Sequence, residues 1–424
     1  MERKINNELY SWKLDKTKKP MFLFGISGCG KTYTVLEFGK KEYKNVIYFD
    51  CLDNLELNYV FDKNNTLEKL LRGLSAISLE TIFKDETLIV LDRVNEKVLK
   101  IISTLFKGIS DYSIIMISNS VSMLSSAKKS DVLIKQLNLV SFPEYLKFVG
   151  KEQLVDFIYD SFHNGMPMPF HSIAEESFKD YVLTGGYPDA IISFTNNKDY
   201  SFLSLVQARI ISSMVGKFLE VENPIDVKRG KELYNQVPIQ LLKENKKFLY
   251  GMIRRGARSK DYENILNFMD ENGFIIKCKK IGELVYPISK SKDDECFKLY
   301  MNDSGLLFKK MNISVNRLLT NDKLVNVLYE NNVVSSLYQG GFTPYYYQSV
   351  GKSTLDLIIQ TRDGKVIPIE FIEGEYNTKS KSLSLAISKF NISYAVRFGD
   401  FNFKKKNNVQ FLPYYAAFCL LELL

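Results

Sequence analysis

Residues 20–40 read PMFLFGISGCGKTYTVLEFGK: a short apolar run, then Gly25, Gly28, Gly30, Lys31 and Thr32 in GxxxxGK[ST] spacing, then a helical pattern. Strand, glycine loop and helix in this order form the setting in which that spacing cradles phosphate. The glycines let the backbone curl so that successive N–H groups face an anion, and the helix adds the positive end of its dipole. This assigns Gly25, Ser27, Gly28, Cys29 and Gly30 to the phosphates, Lys31 to the β- and γ-phosphates, and the Thr32 hydroxyl to Mg²⁺. A glycine-rich turn before an ordinary helix is the plainer alternative, and it leaves the agreement of all three elements unexplained.

Working outward, NVIYFD (45–50), TLIVLD (87–92), SIIMIS (113–118) and LNLV (137–140) read as further strands, with helical patterns between them. Their continuous apolar character is what a sheet covered on both faces requires. The expected fold class is therefore α/β, a P-loop NTPase doubly wound parallel sheet with its ligand at the carboxyl ends of the strands. Asp92 ends one strand and is the expected second Mg²⁺ residue; Ser118 and Asn119 end the next, where they could sense the γ-phosphate or orient water. The residue after Asp92 is Arg93, whose guanidinium accepts no proton and so cannot activate water. Glu96 and Asp50 are the carboxylates left to substitute for it, with surface or capping roles as their alternative.

At 424 residues the chain is long enough for about three domains, and 45% apolar with 25% charged residues excludes extensive disorder. A net charge of +8 permits a nucleic-acid partner without requiring one. Five cysteines without CxxC spacing and two histidines eight apart give neither a disulfide framework nor a zinc site, so a reducing cytoplasm is the expected compartment. No signal peptide and no apolar run of about 20 residues is evident, so no membrane partner is expected; YYAAFCLLELL at the C-terminus reads as a packed last helix.

The order of motifs resembles a widespread bacterial and archaeal family of AAA-type ATP-binding proteins with a C-terminal domain of unknown function built on a restriction-endonuclease-like core. The resemblance rests on ELYSWK, the phosphate loop, LNLVSFPEYLKFVG (137–150), YVLTGGYPDAI (181–191), FLYGMIRRGARSKDYENILNFMDENGFI, FKLYMNDSGLL and VIPIEFIEGEYNTKSKSLS. It implies ATP and Mg²⁺ as ligands and four segments: an ATPase core (1–140), a helical lid (141–222), a winged helix (223–312) and a C-terminal α/β endonuclease-like domain (313–424). Two positions depart from the family's pattern: Arg93 stands where a glutamate is usual, and Ile372 where a lysine is usual.

Within these segments, Gly185, Gly186, Tyr187 and Pro188 form either a turn toward nucleotide or a plain interhelical turn. Tyr262, Ile265, Leu266 and Met269 share a helical face, and Arg254, Arg255, Arg258 and Lys260 precede it, where DNA readers place phosphate contacts and where a solvated surface is the alternative. Glu330, Asp356 and Glu370 resemble the carboxylates of the PD-(D/E)XK nuclease core, but Ile372 shares the face of Glu370 in place of the supporting lysine. Lys379 and Lys381 follow and could reach in; surface roles are their alternative. The expectation is a Mg-ATP-binding conformational switch with weak or absent hydrolysis, double-stranded DNA and a protein as further candidate partners, and a C-terminal domain acting as an interaction module. Alternatives are an ATP-dependent DNA-acting enzyme with a working nuclease, and a DNA-binding regulator.

Overall fold

The computed structural model describes residues 2–52, 54–63, 66–221, 223–349, 353–372 and 380–424. The chain divides into two compact units, Met1–Val140 and Ser141–Leu424.

In the first unit, β1 (Met21–Phe24), β2 (Asn45–Asp50), β3 (Thr87–Asp92), β4 (Ser113–Ser118) and β5 (Leu133–Gln136) form a parallel sheet in the order β2-β3-β4-β1-β5. Every residue of β3 and β4 is buried, as their unbroken apolar runs demand of central strands covered on both faces. On one face lies α2 (Lys31–Glu42), so close that a Cβ on Gly39 would stand 2.7 Å from Val46 Cγ2; α1 (Ile5–Leu14) packs beside it. On the other face, α3 (Leu55–Lys63), α4 (Leu67–Ser78), α5 (Glu96–Leu105) and α6 (Val121–Ala127) bury Leu57, Leu74, Val98 and Ile102 against Phe22, Ile89 and Ile114. The strand expected at 137–140 lies instead at Leu133–Gln136. As a half-exposed edge strand it carries Lys135 and Gln136, which dilute its apolar signal, whereas Leu137, Leu139 and Val140 are buried in the segment that leaves the sheet.

The second unit begins with helices α7 (Phe142–Phe148), α8 (Gln153–Asn164), α9 (His171–Thr184), α10 (Pro188–Asn197), α11 (Tyr200–Gly216), α12 (Pro224–Leu241) and α13 (Glu263–Glu271). There follow β6 (Ile275–Ile281), β7 (Lys292–Met301), α14 (Ser304–Met311), α15 (Val315–Leu319) and α16 (Asp322–Gln339). Then come β8 (Tyr345–Gln348), β9 (Thr354–Gln360), β10 (Val366–Phe371), α17 (Lys381–Phe390), β11 (Ala395–Gly399), β12 (Lys404–Lys406), β13 (Val409–Pro413) and a 3-10 helix, Tyr414–Leu423. One eight-stranded sheet, β12-β13-β11-β10-β9-β8-β6-β7, joins all these strands. The β6–β7 hairpin, read from sequence as a wing, is thus paired through β6 to β8 and shares its core with the C-terminal strands.

The glycine turn after α9 is fixed within this unit. Gly185 has φ +81°, and a Cβ there would lie 2.3 Å from Asp303 Oδ1, while Gly186 N–H donates to Asp303 Oδ2 at 2.7 Å. Asp303 also caps α14 by accepting from Leu306 N–H at 2.8 Å. The glycine pair therefore serves the approach of α9 to α14, an interhelical role. One helical stretch, Tyr200–Glu220, is long and apolar enough to cross a membrane, a length the sequence reading missed because Gln207 and Arg209 interrupt its apolar run. Gln207 is buried and donates to the carbonyls of Leu183 and Thr184, which is packing within the unit.

Candidate functional site

The loop between β1 and α2 carries Gly28 at φ +81° and Gly30 at φ +93°, left-handed conformations that a side chain disfavours. Gly25 passes the end of β5 so closely that a Cβ would meet Leu137 O at 2.2 Å. Its N–H reaches Ser118 O at 3.3 Å, which ties the loop to the end of β4 and sets Asn119 next to that junction. Cys29 is buried, with Sγ 3.3 Å from Leu137 O, and burial pushes its thiol pKa up, so it acts as packing. Ser27 lies in the loop immediately before the left-handed Gly28. Lys31 is almost fully buried, its ammonium donating to Gly25 O at 2.8 Å and Ile26 O at 2.9 Å, so the cation sits inside the curl of the loop.

Thr32 donates its hydroxyl to Asp92 Oδ2 at 2.6 Å, although 60 residues separate them. Asp92 is buried and also accepts from Tyr48 OH at 3.2 Å and from Arg93 N–H at 2.8 Å. Burial and the Asp92 charge push the Tyr48 phenol pKa up, so it keeps the proton it donates. A lysine ammonium, a hydroxyl, a carboxylate and the N–H groups at a helix start fit Mg-nucleotide: Lys31 and the loop would hold the phosphates, Thr32 and Asp92 the metal. Bound Mg²⁺ would supply charge neutralisation at the phosphates.

The two candidate bases are otherwise engaged. Asp50 accepts from Arg93 Nε at 2.8 Å, and a second guanidinium nitrogen contacts its other oxygen, making a forked ion pair. Glu96 opens α5 and accepts from Ser126 Oγ at 2.7 Å. Sequence reasoning missed Arg3, buried behind the loop and donating to Cys29 O at 3.1 Å and Asn138 O at 2.7 Å, and gave no role to Tyr48. Tyr48 had a signal, because alternation puts it on the same face of β2 as Asp50; Arg3 had none.

In the second unit, Glu330 on α16 is buried, accepts from Tyr300 OH at 2.7 Å and contacts the Lys246 ammonium. Burial pushes its pKa upward, but Lys246, Lys298 and the Tyr300 hydroxyl outweigh that and hold it below the usual glutamate value. Asp356 on β9 lies 4.0 Å from Lys298 and accepts from Phe371 N–H at 3.1 Å. Glu370 on β10 pairs with Arg397 at 3.2 Å and accepts from Ser380 Oγ at 2.5 Å; burial raises its pKa. Among the described residues no group of three His, Cys, Asp or Glu is placed to hold a metal. Lys381 opens α17, and Lys379 lies outside the described residues. The basic group Arg254, Arg255, Arg258 and Lys260 is exposed, but the open face of the following α13 carries Glu263, Asn264, Asn267 and Glu271.

A parallel sheet bearing a phosphate loop, with Thr32 joined to Asp92, defines a P-loop nucleotide-binding domain of the ATPase class. The comparisons agree: residues 17–146 match the model of a family described as an AAA domain, so this part of the chain is an AAA-type, ATP-binding P-loop domain. Residues 175–317 and 327–417 match two domains of unknown function, DUF8612 and DUF4143. No curated protein matches the chain. Among solved structures, a Walker-type ATPase of Pyrococcus abyssi is similar at 12% identity over 73% of this chain and 95% of that one, TM-score 0.45. The ORC2 protein of Aeropyrum pernix in its ADP form is similar at 11% identity, with 77% and 93% covered and TM-score 0.31. The RuvB Holliday junction branch migration motor of Thermotoga maritima gives 12%, 65% and 90%, and 0.33.

Proposed function

We propose that the chain is a Mg-ATP-binding switch that hydrolyses ATP slowly or not at all. The observation that carries this is the forked pair between Arg93 and Asp50: the carboxylate at the end of β2 is neutralised by the residue that stands beside the Mg²⁺ carboxylate. A carboxylate so paired is a poor acceptor for a water proton. Glu96, held by Ser126, does not replace it.

The second unit reads as an interaction module. The order α16, antiparallel β8-β9-β10, α17, then β11 parallel to β10 supports a restriction-endonuclease-like core. The partnering of Glu330, Asp356 and Glu370 with Lys246, Lys298 and Arg397 speaks against cleavage. DNA contact through a winged helix draws support from the exposed arginines and is opposed by the acidic residues on α13, so a protein partner is the better reading. A turnover assay tests the switch. Wild type should show little phosphate release, and Arg93→Glu together with Asp50→Asn should raise it about tenfold or more, as a placed base does. Ordinary ATPase turnover in wild type, abolished by Lys31→Ala, would overturn the switch reading.

A further inference from the structure

We propose that Arg93 senses the terminal phosphate, sharing its guanidinium between Asp50 and the γ-phosphate and so making the site discriminate a nucleoside triphosphate from a diphosphate. The inference rests on the nucleotide-binding reading above and gives it a regulatory residue.

Arg93 directly follows Asp92, whose carboxylate bonds the Thr32 hydroxyl at 2.6 Å, so its backbone is one residue from the expected metal position. Its φ is +53°, a left-handed conformation rare for a residue with a side chain, and its N–H closes back on Asp92 Oδ1 at 2.8 Å. Such backbone is held where the surrounding structure over-determines it. The turn ends β3 and sends the guanidinium across to Asp50, the register partner of Asp92 on β2.

The Arg93 side chain is 49% exposed and that of Asp50 35%, and a pair this open to water is weak. A γ-phosphate offers three acceptor oxygens and more negative charge than one carboxylate, and the planar guanidinium fork matches it. The guanidinium has a further nitrogen edge to offer, and a small rotation of the long side chain would turn that edge toward the Thr32–Asp92 pair while the fork keeps Asp50. A diphosphate lacks the second acceptor and leaves both arms of the fork on Asp50. Asp50 stays paired in either state, so the block on water activation is kept while the end of β2 is coupled to the nucleotide's charge.

The test is equilibrium binding of the full chain, with Mg²⁺, to ADP and to an ATP analogue whose β–γ bridge cannot be hydrolysed. Wild type should favour the triphosphate. Arg93→Ala should bring the two dissociation constants about tenfold closer together, Arg93→Lys should retain part of the preference, and Asp50→Asn should enlarge it. The ratio normalises for loss of folded protein, since both ligands share the base, sugar and first two phosphates. A ratio unchanged within twofold in Arg93→Ala overturns the sensor while leaving nucleotide binding standing. Wild type that binds neither ligand overturns the binding reading and the sensor with it.

Discussion

Replacing Lys246 with Met tests whether an internal cation occupies the C-terminal carboxylate site. Glu330 is 3% exposed and has three partners: the Lys246 ammonium in direct contact, Tyr300 OH at 2.7 Å, and the charge of Lys298. Removing one partner of a buried pair costs about 3–5 kcal/mol, because the other charge stays buried. Since Tyr300 and Lys298 remain, the lower end applies, about 3 kcal/mol at neutral pH. A unit this large should then lose about 5 °C in its melting transition. The double variant Lys246→Met/Glu330→Met removes both charges and should recover most of that loss. The pH dependence has a definite sign. Glu330 is held below its ordinary 4.5, so the stability it contributes is complete above that value and drains away as pH falls through its lower folded value. The gap between wild type and Lys246→Met should therefore close in acid. Mn²⁺ supplies the decisive arm: it should leave the wild-type transition of the second unit unmoved. Stabilisation by Mn²⁺ that disappears in Glu330→Gln, or a single variant that loses less than about 1 kcal/mol, would refute the reasoning.

Two further outcomes follow from close contacts. Gly25→Ala forces the phosphate loop away from Leu137 O, 2.2 Å from the added Cβ, and a displacement of about 1 Å should weaken Mg-ATP affinity at least tenfold while the melting transition of the first unit persists. Asp303→Asn turns an NH₂ toward N–H donors of Gly186 or Leu306 and should cost about 1–3 kcal/mol in urea unfolding. Burial raises the Asp303 carboxyl to about 6, so its charge penalty is present above that pH and relieved below it. Wild type should accordingly gain stability between pH 7 and 5 relative to Asp303→Asn, and a parallel pH profile would remove Asp303 as the cause.

What could be read from the sequence was what is contiguous. The loop from Gly25 to Thr32 and the strand ending in Asp92 carry their own spacing, and the contact between Thr32 and Asp92 follows once both elements are placed in one parallel sheet. The β5 position was misjudged because an edge strand lacks the unbroken apolar run that marked the other strands. Long-range pairings had no local signature. Arg93 meets Asp50 only because β2 and β3 align in register, Lys298 on β7 reaches Asp356 on β9 only because both strands belong to one sheet, and Lys246, in the segment after α12, reaches Glu330 on α16 across 84 residues. Ile372 is buried and packs with Phe401 and Phe411 in a small apolar cluster, a long-range contact that its apolar character alone did not reveal.

Charge accounting across the two sites indicates where a metal belongs. Six carboxylates were singled out by sequence as ligands or bases near a phosphate chemistry: Asp50, Asp92, Glu96, Glu330, Asp356 and Glu370. Four have a side-chain cation of this chain beside them, namely Arg93, Lys246, Lys298 and Arg397. Glu96 and Asp92 make no ion pair among the described residues; Glu96 is exposed and held by the Ser126 hydroxyl, whereas Asp92 is buried among the hydroxyls of Thr32 and Tyr48 and the N–H of Arg93. A divalent ion arriving at Asp50 or at the C-terminal acids must displace an ammonium or guanidinium, losing that attraction as it gains its own. At Asp92 it displaces only hydrogen-bond donors, one of which, the Thr32 hydroxyl, can turn its oxygen to the metal. On the proposed reading, Arg93 and Ile372 stand where groups acting on water or phosphate are expected, and the on-chain cations fill the charge those sites would otherwise offer to a metal. Asp92 is what that arrangement leaves open, so Mg²⁺ is expected with the nucleotide and not in the second unit.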